Sequence, residues 1–254
     1  MKRKVDYQLG IIGKSLDHSF SPDYFAQKLK HSKPGFFSYD RFPLASVREV
    51  EQIFAMKNLL GFNVTIPFKE SIIPYLDQLD PTAQEIGAAN TVYVRNGIKL
   101  GYNTDVVGFE ATVRNLGIKE ACLVLGSGGA SKAVEFVLRK RNLVWKTVSR
   151  NPNLNQVGYR SIDKQMLMDY PVIINTTPLG TWPSVEQKPE IPYRLLNKHN
   201  TLIDLTYHPR VTAFLKEGQQ RDCLVQNGLQ MLKVQADASY DIWMGRSELS
   251  NLHL

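Results

Sequence analysis

The sequence contains little cysteine and no long apolar run. Its two cysteines, Cys122 and Cys223, lie in separate apolar segments without CxxC or metal-ligand spacing, so we predict buried thiols in a reducing compartment and no metal site. No apolar stretch approaches the ~20 residues that a membrane-spanning helix needs. The basic N-terminus, residues 1–4, is followed only by short apolar pieces, which predicts a cytoplasmic protein with no signal peptide and no membrane partner.

The positive net charge of +7 is not accompanied by a nucleic-acid motif. Basic residues are scattered along amphipathic segments, and no basic cluster is interleaved with aromatic side chains. A positive balance also suits an enzyme whose ligands are a phosphorylated cofactor and a carboxylate. We therefore expect small-molecule ligands, and a basic nucleic-acid binder ranks last among the alternatives.

The best-marked stretch of the chain, residues 121–141, reads ACLVLGSGGASKAVEFVLRKR. Its first five residues are apolar throughout, as in a parallel strand buried on both faces. Residues 133–141 continue with helical spacing and end in three cations, which suit the C-terminal end of a helix dipole. Glycines between the two elements let the backbone approach a pyrophosphate, and the helix N-terminus directs N–H groups at it. This pattern predicts the first half of a dinucleotide-binding unit, although such turns also serve packing alone.

The next predicted strand, Trp145–Ser149, ends about 20 residues further on, which is the distance of the dinucleotide fingerprint. An NAD site would carry Asp or Glu there, whereas this chain has Ser149-Arg150. Because a guanidinium can pair with a phosphate, the 2′-phosphate of NADP is the better fit. The alternative is that Arg150 is simply a solvated strand end.

Strands and helices alternate along the rest of the chain. Ser46-Val47-Arg48-Glu49 is a capping box that predicts a helix through Met56, and a helix is also expected to begin at Pro67-Phe68-Lys69-Glu70. Asn96-Gly97 between two alternating apolar runs predicts a hairpin. The expected fold is α/β with an N-terminal α/β substrate domain, a Rossmann-like nucleotide-binding domain, and an interdomain cleft. We place the substrate domain at residues 1–103 plus 231–254 and the nucleotide domain at residues 104–230.

Polar side chains collect where the strand at Leu59–Ile66 ends. Asn63 and Thr65 share one face of this strand because strand side chains alternate, and Lys69 follows nearby. Two hydrogen-bonding groups and a cation suit a polyhydroxylated anion. A lysine at a helix N-terminus is also electrostatically unfavourable, which argues for function, although a surface lysine is the general expectation.

Three further candidates differ in how well a purely structural role explains them. Ser21 precedes Pro22 and is explained as a helix N-cap, whereas Ser19 has no such explanation. Asp105 would simply cap the following helix, but it lies where the chain passes from one predicted domain to the next. Ligands commonly bind between domains, so this carboxylate is well placed to meet Lys69.

Taken together, the motifs resemble the shikimate dehydrogenase family, and they occur in the family's order over nearly the whole chain. The matching motifs are Ser19-Phe20-Ser21-Pro22, Asn63-Val64-Thr65-Ile66-Pro67-Phe68-Lys69, Gly87-Ala88-Ala89-Asn90-Thr91-Val92, Gly101-Tyr102-Asn103-Thr104-Asp105, Gly126-Ser127-Gly128-Gly129-Ala130, Asn175-Thr176-Thr177-Pro178-Leu179-Gly180, and Met231-Leu232 with Gln235-Ala236.

The resemblance implies NADPH-dependent, reversible reduction of 3-dehydroshikimate to shikimate in aromatic amino-acid biosynthesis. It implies that Lys69 and Asp105 are the catalytic pair, with Lys69 as proton donor and Asp105 orienting it. The implied substrate-binding residues are Ser19, Ser21, Asn63, Thr65, Asn90, Asp105, Tyr207 and Gln235. The implied NADP-binding residues are Gly126, Ser127, Gly128, Gly129, Ala130, Ser131, Ser149, Arg150, Thr176, Leu205 and Gly228.

Two departures from the family's pattern bear on these expectations. Phe25-Ala26 stands where the family usually has His-Asn, which alters helix packing more than catalysis. Leu154 stands where a second basic residue usually follows Arg150, which weakens the expected preference for NADP over NAD. The alternatives are a quinate-preferring or broader relative and a cofactor-sensing regulator without turnover. A monomer or a homodimer is expected.

Overall fold

The computed structural model describes residues 7–17, 19–32 and 36–246. The basic N-terminus at residues 1–4 and the end of the predicted range 231–254, from residue 247 on, lie outside the described residues. The chain forms two compact units. The first extends through Thr104 and resumes at Ala236, and the second runs from Asp105 to Gln235. These divisions fall one and five residues after the domain limits that the sequence suggested.

The first unit contains a six-stranded mixed sheet. Its strands are β1 (Tyr7–Gly13), β2 (Phe37–Pro43), β3 (Leu59–Val64), β4 (Gln78–Leu79), β5 (Thr91–Arg95) and β6 (Ile98–Tyr102), in the order β2-β1-β3-β5-β6-β4. β1 pairs in parallel with β2 and β3, whereas β5 runs antiparallel to both β3 and β6. Its helices are α1 (Ser21–Ser32), α2 (Val50–Phe54) and α3 (Pro81–Ile86).

The predicted hairpin is confirmed in β5 and β6. Asn96 and Gly97 connect the strands with φ of 52° and 80°, the left-handed conformation that a two-residue type I′ turn requires. One core of this unit packs against α1 and includes Phe25, Tyr240 and Trp243. A second core contains Phe62 and Ile72 and is formed by a different set of side chains, several of them from the same sheet.

The second unit contains a six-stranded sheet in which every pairing is parallel. Its strands are β7 (Cys122–Leu125), β8 (Trp145–Ser149), β9 (Gln156–Gly158), β10 (Val172–Asn175), β11 (Thr201–Asp204) and β12 (Leu224–Gln226), in the order β12-β11-β10-β7-β8-β9. Its helices are α4 (Asp105–Leu116), α5 (Gly129–Lys140), α6 (Lys164–Asp169) and α7 (Ala213–Gln219), and α8 (Leu229–Trp243) begins here and ends in the first unit. This is the strand order of a dinucleotide-binding sheet, with its switch point between β7 and β10.

The apolar run predicted as a doubly buried strand is confirmed: all four residues of β7 are 0% exposed. Parallel strands connected by helices ordinarily have no solvated face, which accounts for this burial. The α/β fold class and the Rossmann-like character of the second unit are thus confirmed. Within the described residues, no helix is long and apolar enough to cross a membrane.

The helix expected from Pro67 is wrong. Turns follow β3, and only a 3₁₀ turn at Ile73–Tyr75 forms, because Pro74 supplies no N–H and disfavours helical geometry at the residue before it. Lys69 is therefore not at a helix N-terminus, and the dipole argument for its function does not apply. The capping box at Ser46 forms, but it opens a 3₁₀ turn at Val47–Glu49 ahead of α2.

Candidate active site

In the first unit, candidate substrate residues follow the carboxyl ends of β1 and β3. Asn63 is 5% exposed near the end of β3, and the N–H of Thr65, just beyond, donates to the carbonyl of Ile12 in β1 at 3.0 Å. Lys69 is half-buried, and its carbonyl accepts from the N–H of Ala89 at 2.8 Å. This bond ties the lysine segment to the residues that precede Asn90.

Tyr39 connects two of the predicted residues. Its hydroxyl donates to Oδ1 of Asn63 at 2.8 Å and is also hydrogen-bonded to Ser21. Burial raises the pKa of the Tyr39 hydroxyl well above its ordinary value, so it stays protonated and available as a donor. Ser21 itself is 6% exposed at the start of α1, and Ser19 is half-buried, with its N–H bonded to the carbonyl of Leu16 at 3.0 Å.

Asn90 lies next to Asn63 in the same polar cluster. Nδ2 of Asn63 approaches the carbonyl of Asn90 at 3.3 Å, and the Asn90 side chain is bonded to Thr91 and Thr104. The structure therefore brings Ser21, Asn63 and Asn90 into one connected group. Sequence reasoning missed Tyr39, Thr91, Thr104 and Ser239 as members of this cluster; the available signal was a set of polar residues inside otherwise apolar segments.

The glycine loop of the second unit lies at the switch point of its sheet. Gly126 follows β7 with φ +112°, and an added Cβ would lie 2.7 Å from Oγ1 of Thr176, which follows β10. Oγ1 of Thr176 donates to the carbonyl of Leu125 at 2.7 Å. Thus the predicted cofactor residues Gly126 and Thr176 are in direct contact where α/β sheets bind their ligands.

The start of α5 can accept an anion. Its N-cap is Gly128, around which an added Cβ would meet nothing within 4 Å, and the first N–H groups of a helix have no acceptors within it. Gly129 and Ala130 provide such groups. This open, glycine-lined helix start fits the pyrophosphate of a dinucleotide.

The serines and Arg150 have different environments. Ser131 is 1% exposed, and its hydroxyl donates to the carbonyl of Gly128 at 2.9 Å, so its side chain is bonded within its own helix. The hydroxyls of Ser127 and Ser149 lie 3.4 Å apart, which joins the glycine loop to the end of β8. Arg150 is exposed immediately after β8, and Leu154 is fully exposed.

A buried carboxylate holds the ends of β10 and β11 together. Asp204 accepts hydrogen bonds from Nδ2 of Asn175 at 3.0 Å, from the N–H of Thr206 at 3.0 Å, and from Oγ1 of Thr212 at 2.5 Å. Burial raises the pKa of Asp204 to about 6, although these hydrogen bonds lower it in part. The predicted cofactor residues Leu205 and Gly228 follow this network and pack closely, since a Cβ added at Gly228 would lie 2.1 Å from the carbonyl oxygen of Leu205. The N–H of Gly228 donates to the carbonyl of the next residue, Thr206, at 3.1 Å.

Asp204→Asn is expected to remove a pH dependence of folding stability. The folded state keeps the Asp204 proton up to about pH 6, whereas the unfolded chain loses it near 3.9, so the stability of the parent protein falls as the pH rises between these values. The cost of the charged form at pH 7 is ~3 kcal/mol. An asparagine keeps the acceptor for Asn175 and Thr206 and can donate to Thr212.

Urea unfolding at pH 4.5 and 7.5 measures this difference. The free energy of unfolding of the parent, taken relative to that of Asp204→Asn, should be lower at pH 7.5 than at pH 4.5 by about 2 kcal/mol. If the difference in free energy of unfolding between the two proteins is the same at both pH values, the burial of Asp204 does not raise its pKa, and the prediction is wrong.

Three of the predicted catalytic and substrate-binding residues belong to the second unit. Asp105 begins α4 and is 7% exposed. Tyr207 is half-buried beyond the end of β11. Gln235 is 8% exposed in α8, and its Nε2 donates to the carbonyl of Leu232 at 3.1 Å.

Comparisons with known proteins agree over both halves of the chain. The family model described as the shikimate dehydrogenase substrate binding domain matches residues 11–92. A shikimate dehydrogenase (NADP(+)) of Methanococcus maripaludis is 36% identical, covering 93% of this chain and 91% of that protein.

Solved structures show the same likeness. Shikimate dehydrogenase 1 from Peptoclostridium difficile is 30% identical with a TM-score of 0.83, covering 95% of this chain and 93% of that one. The shikimate 5-dehydrogenase of Thermus thermophilus, solved in complex with NADP(H) and shikimate, is 30% identical with a TM-score of 0.81, covering 94% of each chain.

Proposed function

This chain belongs to the shikimate dehydrogenase family, and from that premise we propose that it catalyses the reversible, NADPH-dependent reduction of 3-dehydroshikimate to shikimate in aromatic amino-acid biosynthesis. It is an NADP-dependent oxidoreductase. The observation that carries the proposal is the connected group of Ser21, Asn63 and Asn90, which lies in the unit that carries Lys69. Hydroxyl and amide groups in one buried cluster suit a substrate with a carboxylate and several hydroxyls.

The second unit is proposed to hold NADP. The fit is supported by the left-handed Gly126, the open helix start at Gly128, and the exposed guanidinium of Arg150 beyond β8. Bound NADPH supplies the hydride that reduces the C3 carbonyl of the substrate. The glycine loop and the start of α5 are proposed to bind the pyrophosphate, and Arg150 the 2′-phosphate.

The proton that the reduction requires comes from Lys69 in this proposal. As an ammonium group it stabilises the negative charge that develops on the carbonyl oxygen and then donates the proton to it. Asp105, the other proposed catalytic residue, accepts a hydrogen bond from a substrate hydroxyl. Ser19, Ser21, Thr65, Tyr207 and Gln235 are proposed to bind the substrate with Asn63 and Asn90.

Steady-state oxidation of shikimate and of quinate, followed as NADPH formation at 340 nm, tests the assignment. We expect the higher kcat/KM with shikimate. Equal or better turnover of quinate would assign the broader quinate/shikimate activity. An absence of turnover with both acids, at concentrations where NADP binds, would favour a cofactor-sensing regulator.

Arg150→Gln is expected to raise KM for NADP by about 10- to 100-fold, because one charge-assisted bond to the 2′-phosphate is lost. KM for NAD should change little, since NAD lacks that phosphate. Lys198→Gln is the matched control: Lys198 is also exposed, but it precedes β11, toward the opposite edge of the sheet. Equal changes in KM for both nucleotides would contradict the role of Arg150.

The quaternary state and location follow from the sequence alone in this proposal: a cytoplasmic monomer or homodimer. Light scattering of the purified full chain decides between one and two copies.

A further inference from the structure

The amide of Asn63 is held at both of its polar atoms. Oδ1 accepts the hydroxyl proton of Tyr39 at 2.8 Å. On the other side, Nδ2 approaches Oγ of Ser239 at 3.0 Å and Oγ1 of Thr91 at 3.2 Å. Ser239 comes from α8, far along the chain, and it is 0% exposed. One end of α8 therefore contributes a polar group to the cluster around β3.

Asn90 is held by its amide oxygen. Oδ1 accepts the backbone N–H of Thr104 at 2.7 Å, and the hydroxyls of Thr104 and Thr91 lie 3.1 Å from the same atom. Because a backbone N–H is only ever a donor, a reversed amide would place two donors against each other. The Asn90 amide is therefore fixed with Oδ1 toward Thr104 and Nδ2 turned away from it.

Three buried hydroxyls lie between the two asparagines. Oγ of Ser239 lies 2.8 Å from Oγ1 of Thr91 and 3.1 Å from Oγ1 of Thr104, and the two threonine oxygens are 3.3 Å apart. All three residues are 0% exposed. We call Thr91, Thr104 and Ser239 the hydroxyl triangle. Each member has one proton to donate and two lone pairs with which to accept.

Each contact within the hydroxyl triangle can run in either direction, and the hydroxyls of both Thr91 and Thr104 can donate to Asn90 Oδ1. The orientation of Asn63 is set by the backbone carbonyl of Asn90, which lies 3.3 Å from Nδ2 and can only accept. Nδ2 of Asn63 therefore faces the hydroxyl triangle and donates to Ser239 and Thr91. Oδ1 of Asn63 consequently faces the hydroxyl of Tyr39, which is where the structure has it. Since the oxygen and nitrogen of an amide are nearly equal in size, hydrogen bonds rather than packing choose the orientation.

We propose that Ser239 is a positioning residue of the substrate site: its hydroxyl, together with that of Thr91, accepts from Nδ2 of Asn63 and holds this amide in its orientation, while the backbone N–H of Thr104 fixes the amide of Asn90. The inference rests on the proposed function, in which these two asparagines hold the hydroxyls of shikimate. A fixed orientation decides which substrate oxygen each asparagine serves as donor and which as acceptor. Removing the Ser239 hydroxyl takes away the nearest of the three acceptors of Asn63 Nδ2 and loosens that choice.

Ser239→Ala tests the inference. We expect KM for shikimate to rise about tenfold, the effect of one lost buried hydrogen bond, while KM for NADP stays the same. Thr112→Val is the matched control, because it removes another buried hydroxyl, one that donates to the carbonyl of Gly108 within α4 at 3.2 Å. The control should leave both KM values unchanged. If Ser239→Ala does not fold, Ser239→Cys, whose thiol is somewhat larger and is a weaker donor and acceptor, replaces it with the same expectation.

A double-mutant cycle separates positioning from general damage. In an Asn63→Ala background, Ser239→Ala should raise KM for shikimate by a clearly smaller factor than in the parent, because part of its effect acts through Asn63. An equal factor in both backgrounds, or no rise in the parent, would overturn the inference. A parent protein that does not turn over shikimate would instead refute the proposed function, so the two failures are distinguishable.

Discussion

Replacing Lys69 by alanine is expected to lower kcat by about 10²–10⁴-fold, the range for loss of a general acid that also stabilises developing charge. KM for shikimate should change far less, because the ammonium contributes mainly when the carbonyl oxygen becomes negative. The half-buried position of Lys69 beyond β3, with its backbone anchored to Ala89, agrees with a side chain held for such a role. Steady-state rates at saturating NADP and shikimate measure the effect.

Lys57→Ala is the control for this experiment. Lys57 is exposed and precedes β3, whereas Lys69 follows it, so the two lysines lie beyond opposite ends of the same strand. The control should keep the parent kcat. A Lys69→Ala variant with an unchanged kcat would refute the proposed proton donor.

Gly228→Ala is expected to damage both the fold of the second unit and its binding of NADP. A Cβ at this position would lie 2.1 Å from the carbonyl oxygen and 2.6 Å from the carbonyl carbon of Leu205. Because these are backbone atoms, no side-chain rotation relieves the contact, and the ends of β11 and β12 must separate. We expect a loss of about 1–3 kcal/mol of stability, as for an overpacked core, and, if NADP binding loses a similar free energy, a KM for NADP that is roughly 5- to 100-fold higher.

Gly158→Ala provides the comparison. The nearest atom to a Cβ at Gly158, Cγ of Pro152, is 3.9 Å away, and its φ of −82° suits any residue. Urea unfolding and KM for NADP should therefore match the parent in this variant. If Gly228→Ala behaved like Gly158→Ala, the close packing of Leu205 against Gly228 would be contradicted.

Local patterns in the sequence predict much of the fold. The burial of β7, the helix that follows its glycine loop, and the Asn96-Gly97 hairpin all depend on residues close together in the chain, so they can be read from spacing and composition. The helix expected at Pro67 failed for a local reason that was available, namely Pro74. The two-residue strand β4 is too short to leave a pattern.

The polar cluster of the first unit is predicted only in part. Asn63 was found from strand alternation, and Ser21 and Asn90 from the family resemblance. Tyr39 and Ser239 were not found, because their contacts to Asn63 join residues 24 and 176 positions apart. In the sequence, Ser239 is one hydroxyl in a largely apolar helix face, a pattern that is equally typical of a residue without function.

Asp204 shows the same limit in the second unit. Its bond to Asn175 spans 29 positions, and an aspartate at the end of a predicted strand is ordinarily solvated. Only the parallel pairing of β10 with β11 places the two side chains together. The Leu205–Gly228 contact likewise depends on the arrangement of strands and not on a local motif.

The stoichiometry of the reduction tests the proposed activity most directly. NADPH and 3-dehydroshikimate are mixed with the purified full chain, the loss of absorbance at 340 nm is followed, and the product is identified by chromatography against authentic shikimate. We expect one shikimate to form for each NADPH consumed. NADPH that is bound but not consumed, or consumed without the appearance of shikimate, would contradict it.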